Sequence, residues 1–115
     1  MNTRVIWVKV NPNDDKELQF SNDRTNWYAD SDFTTIVSVN DTVIWQLTEY
    51  NPNGKIQKDV DDNHKKIFSE HIKLDNGSFV AVVKSNVEGV NFRYRLKAKI
   101  NNKKYNHDPV IKINA

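Results

Sequence analysis

Apolar and polar side chains alternate with a period of two along most of this sequence, and a helical period never persists over the roughly 11 residues that mark an amphipathic helix. That pattern admits half-buried β-strands and little else. In NFRYRLKAKI, Phe92, Tyr94, Leu96, Ala98 and Ile100 fall on one face, while Arg93, Arg95, Lys97 and Lys99 fall on the other. In TVIWQLT, Val43, Trp45 and Leu47 share a face, which makes Trp45 the candidate centre of the core. SFVAVVK is apolar on both faces and belongs in mid-sheet or under a loop.

Strands are expected at 4–10, 17–21, 34–39, 42–48, 67–74, 78–84, 91–100 and 110–113, separated by NPNDD, SNDRTNW, ND, YNPNG, DVDDN, DNG and NNKK. Asn and Gly in DNG, residues 75–77, suit a tight turn because both tolerate positive φ. About eight short strands in a chain of 115 residues predict a single all-β domain, an antiparallel two-sheet Greek-key sandwich of 7–8 strands. VSVNDTVIWQL, residues 37–47, poses the main topological choice. Either Asn40-Asp41 closes a hairpin in which Val39 faces Thr42, or one strand bends there and crosses to the other sheet.

The crossing form of VSVNDTVIW resembles the cupredoxin and related immunoglobulin-like sandwiches, whose strands run through a short kink into a strand ending in an aromatic residue. KIFSEHIKLDNGSFVAVV is similar to their pair of strands joined at a Gly turn. FRYRLKAKI with DPVIKI resembles the tyrosine-bearing penultimate strand and the closing strand, so the likeness runs from Ile36 to Ile113. The resemblance implies a fold and carries no functional residue. A blue-copper centre needs two imidazoles and a thiolate. Here Cys is absent, the one Met is Met1, and no His follows soon after TVIWQL, so no cofactor is expected.

Without Cys the fold has neither a disulfide nor a thiolate metal site. MNTRVIWVKV lacks the apolar core of a signal peptide and no run approaches a membrane span, so the chain reads as cytoplasmic, with a trimmed secreted form as the alternative. The net charge of +2 hides an asymmetry: residues 1–62 hold 6 Lys and Arg against 11 Asp and Glu, while residues 63–115 hold 11 against 4. A sandwich interleaves such halves and neutralises them; the alternative puts opposite signs on opposite faces and favours head-to-tail association.

Four candidate sites emerge. Asp59, Asp61, Asn63, the Lys65 carbonyl and Glu70 follow the ligand spacing of a Ca²⁺ loop, against which His64 stands where a Gly normally turns. The simpler reading is an acidic loop entering a strand. Arg93, Arg95, Lys97 and Lys99, with Lys103 and Lys104 beyond, make a basic stripe that could track phosphates, but Phe92 and Tyr94 point away from that face, which disfavours nucleic acid. His64, His71 and His107 match no zinc spacing. Trp27 and Tyr28 in one loop and Tyr50 in another offer a carbohydrate platform, or caps over an open core end.

No nucleophile elbow, phosphate loop or zinc-protease motif occurs, and Gly is found only at 54, 77 and 89. The expectation is a non-catalytic module for protein interaction or self-assembly. A carbohydrate or other ligand is the second class of partner, and no membrane is expected.

Overall fold

The computed structural model describes residues 2–48, 54–57, 66–73, 77–107 and 109–114. These form an all-β structure with one 3₁₀ turn at Asp30–Asp32. The strands are β1 (Thr3–Asn11), β2 (Asp14–Ser21), β3 (Thr34–Val37), β4 (Thr42–Leu47), β5 (Gly54–Gln57), β6 (Phe68–Lys73), β7 (Phe79–Val83), β8 (Asn91–Arg93), β9 (Leu96–Ile100), β10 (Lys103–His107) and β11 (Val110–Ile113). A curled five-stranded sheet runs β2-β1-β4-β7-β6; two three-stranded sheets run β10-β9-β5 and β3-β11-β8. Among the described residues no helix is long and apolar enough to cross a membrane.

Eleven strands replace the expected eight among the described residues, for three physical reasons. β5 carries a single core residue, Ile56, too little alternation to register as a strand. β10 follows a two-residue turn in which Asn101 and Asn102 both have positive φ (52° and 67°), the geometry of a type I′ hairpin, and folds Tyr105 back opposite Ala98. The expected strand 91–100 divides at Tyr94-Arg95: β8 pairs with β11, whereas β9 pairs with β5 and β10. Its burial alternation nevertheless persists, with Tyr94, Leu96, Ala98 and Ile100 buried and Arg93 and Arg95 exposed.

Pairing is not wholly antiparallel, as the sequence led us to expect. β1 runs parallel to β4, and β3 parallel to β11. The cause lies at Asn40-Asp41, where the chain changes sheets instead of closing a hairpin. β3 lies beside β11, and β4 returns beside β1 in the same direction.

The corner is built by two side chains. Asn40 takes φ 68°, a left-handed conformation that Asn adopts more readily than most residues. Asp41, 1% exposed, accepts hydrogen bonds from the Asn2 N–H at Oδ1 and the Ser38 N–H at Oδ2, both 2.9 Å. Arg4 Nε lies 3.8 Å from Oδ2. One buried carboxylate thus ties the start of β1 to both arms of the crossing, and its burial is compensated by those charge-assisted bonds. β7 completes the corner: Asn40 N–H donates to the Val83 carbonyl and Val83 N–H to that of Asp41, each 2.9 Å.

Trp45 sits at the centre, fully buried, with Phe68, Phe79 and Tyr94 rings at 5.4, 5.6 and 5.5 Å. Its indole N–H donates to the Tyr94 hydroxyl at 2.9 Å, so the five-stranded sheet is bonded through the core to the β8–β9 junction. Such aromatic pairs add about 0.5–1.5 kcal/mol each beyond their area burial. A second cluster, Phe20 on Phe33 at 5.5 Å with the His107 ring edge-on to Phe20 at 5.9 Å, joins β2 to β10.

Candidate functional site

The β10-β9-β5 sheet turns Leu96, Ala98, Ile100, Tyr105 and Ile56 inward, so the alternate positions must face out. Register places Lys104 directly opposite Lys99, and Lys99 directly opposite Lys55. Three lysines therefore occupy one row of backbone positions across three strands. Directly opposed side chains in an antiparallel pair have Cβ atoms about 4.5–5.5 Å apart, and like charges at that spacing are destabilising.

Among the described residues none of these three lysines has an ion-pair partner. Lys97, one pleat along, is in backbone register with Asn106 of β10 and with Gln57 of β5. Lys97, Lys99, Lys104 and Asn106 rim a hollow of about 430 Å³ whose floor is Tyr105. No aromatic ring stands on this outer face among the described residues, so it offers bases nothing to stack on.

The next lysine behaves differently. Lys103 Nζ bonds Asp15 Oδ2 of β2, and that bond holds the Asp15 carboxyl below its usual range while raising the Lys103 ammonium. Tyr105 Oη donates to the Asp15 carbonyl at 2.7 Å. Leu18 N–H donates to His107 Nε2 at 3.2 Å, a bond from β2 to the end of β10. β10 is thus clamped to β2 along one margin, and Lys104 on its outer face has no carboxylate partner among the described residues.

The predicted basic stripe is accordingly redistributed. Arg93 belongs to the β3-β11-β8 sheet and Arg95 lies at the junction, whereas Lys97 and Lys99 share the β10-β9-β5 sheet with Lys103 and Lys104. The structure keeps Lys104 beside them and adds Lys55, which no alternation marks because β5 carries a single core residue. Cross-strand register, which a one-strand reading does not contain, is what brings it in.

The aromatic pair is also divided. Lys9 Nζ sits 4.2 Å from the centre of the Trp27 ring, covering one face of the indole, while Tyr28 leans on Phe33 with ring centres 6.5 Å apart. Tyr28 is bridged to Phe20 through both backbone hydrogen bonds, an extended geometry that sends neighbouring side chains to opposite sides. Tyr28 is 46% exposed, but no flat surface common to both rings results. The loop itself is held by Asp23, which accepts from the Thr25 and Asn26 N–H groups and the Ser21 hydroxyl, so its carboxyl lies well below the normal range.

Tyr50, Asp59, Asp61, Asn63, His64 and Lys65 lie outside the described residues. The backbones of Glu70 and His71 are in β6, and their side chains also lie outside what is described. Among the described residues no three His, Cys, Asp or Glu side chains gather into a cluster able to hold a metal.

A second depression, about 520 Å³, opens between β1 and β3 and is lined by Thr3, Arg4, Val5 and Trp7 on one wall and by Asn22 and Thr34–Ile36 on the other. Arg24 stacks its guanidinium 4.6 Å from the Trp7 ring centre. Ile36, 55% exposed, stands on the rim. Comparison with known proteins leaves the geometry to speak for itself: no family model matches the chain, and no curated protein matches it.

Proposed function

We propose that this chain is a non-catalytic protein-interaction module that docks an acidic protein surface on the outer face of β10-β9-β5. The observation that carries the reading is the row Lys104–Lys99–Lys55, directly opposed like charges without a carboxylate partner among the described residues. Such a row costs stability in the isolated chain, and an acidic partner converts that cost into attraction. The candidate partner is a second copy, since Asp14 and Glu17 are exposed on β2 and the first half of the sequence carries the negative charge. A face meeting a different face is a heterologous contact, which builds open chains unless the rotation closes.

The scaffold for this activity is a cupredoxin-like Greek-key sandwich in two layers, the β3-β11-β8 and β10-β9-β5 sheets together forming the layer opposite the five-stranded sheet. The sheet change at Asn40-Asp41 and the continuity of β8 into β9 through buried Tyr94 support that arrangement.

Sedimentation velocity across protein concentration tests the proposal. Association in low salt that disappears in high salt, and that Lys99→Glu abolishes, is the expected result. A strict monomer at high concentration in low salt excludes the second copy as partner.

A further inference from the structure

β1 is flanked unequally. On one side β4 pairs with it from Thr3 to Val8; on the other β2 pairs with it only from Trp7 to Asn11. After Ser21 the chain leaves the sheet, and the place beside Thr3–Ile6 that another strand would take is the depression of about 520 Å³. The bonds from Thr42 N–H to the Asn2 carbonyl and from Thr48 N–H to the Val8 carbonyl show that the even-numbered residues of β1 bond to β4. In a parallel ladder the alternate residues turn their N–H and C=O the other way, so those of Thr3 and Val5 point into the depression.

The opposite wall has the same character. Val110 N–H donates to the Phe33 carbonyl and Asn114 N–H to that of Val37, which commits the odd residues of β3 to β11 and turns Thr34 and Ile36 toward the opening. Asn22 Nδ2, at 3.4 Å, reaches the Thr34 carbonyl. Among the described residues no carboxylate lines the depression, and Arg4, whose Nε lies 3.8 Å from the buried Asp41 carboxylate, presents a side chain 46% exposed.

We propose that this slot captures an extended peptide segment of a partner protein, which adds to the Thr3–Ile6 edge of β1 in the place β2 vacates. The inference rests on the reading of the chain as an interaction module and names a second surface and its ligand class. Backbone pairing with Thr3 and Val5 supplies affinity, and alternate side chains supply selectivity. Those on one face meet Val5, Trp7 and Ile36 and are apolar; a carboxylate matches Arg4. The volume lies within the roughly 300–1,000 Å³ of ordinary ligand sites. Long exposed edges are normally blunted by charge, Pro or a covering segment, whereas this one is recessed behind Ile36 and Asn22, which admits a single strand and hinders a whole sheet.

The test uses the full chain and an end-blocked seven-residue peptide alternating threonine and valine with one central glutamate, together with the same peptide methylated on alternate backbone nitrogens. Amide hydrogen exchange is followed by NMR. The unmodified peptide should slow exchange at Thr3 and Val5 by about tenfold or more, which is about 1.4 kcal/mol. The methylated peptide, with the same side chains, should not. Ile36→Asp should weaken binding about tenfold by removing the rim contact and repelling the glutamate.

No protection of Thr3 and Val5 at about 1 mM peptide, or equal binding of the methylated form, overturns the proposal. Lys99→Glu should leave peptide binding unchanged. A parent chain that stays monomeric in low salt yet binds the peptide would refute self-docking by the lysine face alone, and a parent chain that assembles but ignores the peptide would refute strand capture alone.

Discussion

Replacing Lys99 by Gln keeps a long polar side chain and removes the central charge of the Lys104–Lys99–Lys55 row. Favourable directly opposed pairs contribute about 0.2–1 kcal/mol and like charges there are destabilising; we take the repulsion to be of similar size, and Lys99 takes part in two such pairs. Lys55 and Lys104 are exposed and screened by solvent, so the lower half of the summed range applies, about 0.5–1 kcal/mol. For a chain of this size that raises Tm by about 2–5 °C. The assay is a fluorescence melt at protein concentrations low enough to keep the chain monomeric, since association itself stabilises the native state. It is run at about 0.01 M and about 1 M salt, where the screening length falls from about 30 to about 3 Å. Lys99→Gln should melt higher than the parent in low salt, the difference should shrink in high salt, and association should weaken in the same variant. A lower Tm in low salt, or a difference indifferent to salt, refutes the claim that the row is electrostatically strained.

Asp41→Ala leaves the Asn2 and Ser38 N–H groups without their acceptor and should cost about 2–4 kcal/mol by urea denaturation, with Asp41→Asn costing less because one oxygen remains. Gly77 has φ +86°, and a Cβ there would lie 2.6 Å from the Gly54 carbonyl, so Gly77→Ala should cost at least about 1–3 kcal/mol and displace β5. In acid, the depressed carboxyl of Asp23 contributes stability that is complete above the unfolded value near 3.8 and is lost as pH falls through its lower folded value. Asp23→Ala should therefore flatten the acid limb of a stability–pH curve measured by chemical denaturation. Burial raises the Tyr94 phenol above its usual 10.0, so its contribution is complete below that pH and lost above it. Tyrosinate absorbance from this residue should accordingly appear only as the protein unfolds in alkali.

Much of the core was legible because alternation is a local property. Trp45, Tyr94, Leu96, Ala98 and Ile100 are buried as their spacing indicates, with Phe92 partly buried, even though the stretch 91–100 serves two sheets. What stayed hidden was relational. Parallel pairing of β1 with β4 follows from a corner held by Asp41 and Asn2, residues 39 positions apart, and no local pattern encodes that bond. The same holds for the site: Lys97 and Lys99 could be read from one strand, but Lys55 joins them only once the backbone register is known. The Asn101-Asn102 turn was the one local signal for β10, and its two asparagines in left-handed conformations explain why a polar KKYNH pairs at all. Trp27 and Tyr28 are adjacent in sequence and diverge in space because extended backbone alternates its side chains.

The central claim, that the lysine face meets carboxylates of another copy, is tested most directly by zero-length lysine–carboxylate cross-linking of an equal mixture of isotopically labelled and unlabelled chains in low salt, read by mass spectrometry. Mixed-label links from Lys55, Lys99 or Lys104 to Asp14 or Glu17 are the predicted result. Links confined to single chains, or mixed links that bypass all three lysines, would contradict it.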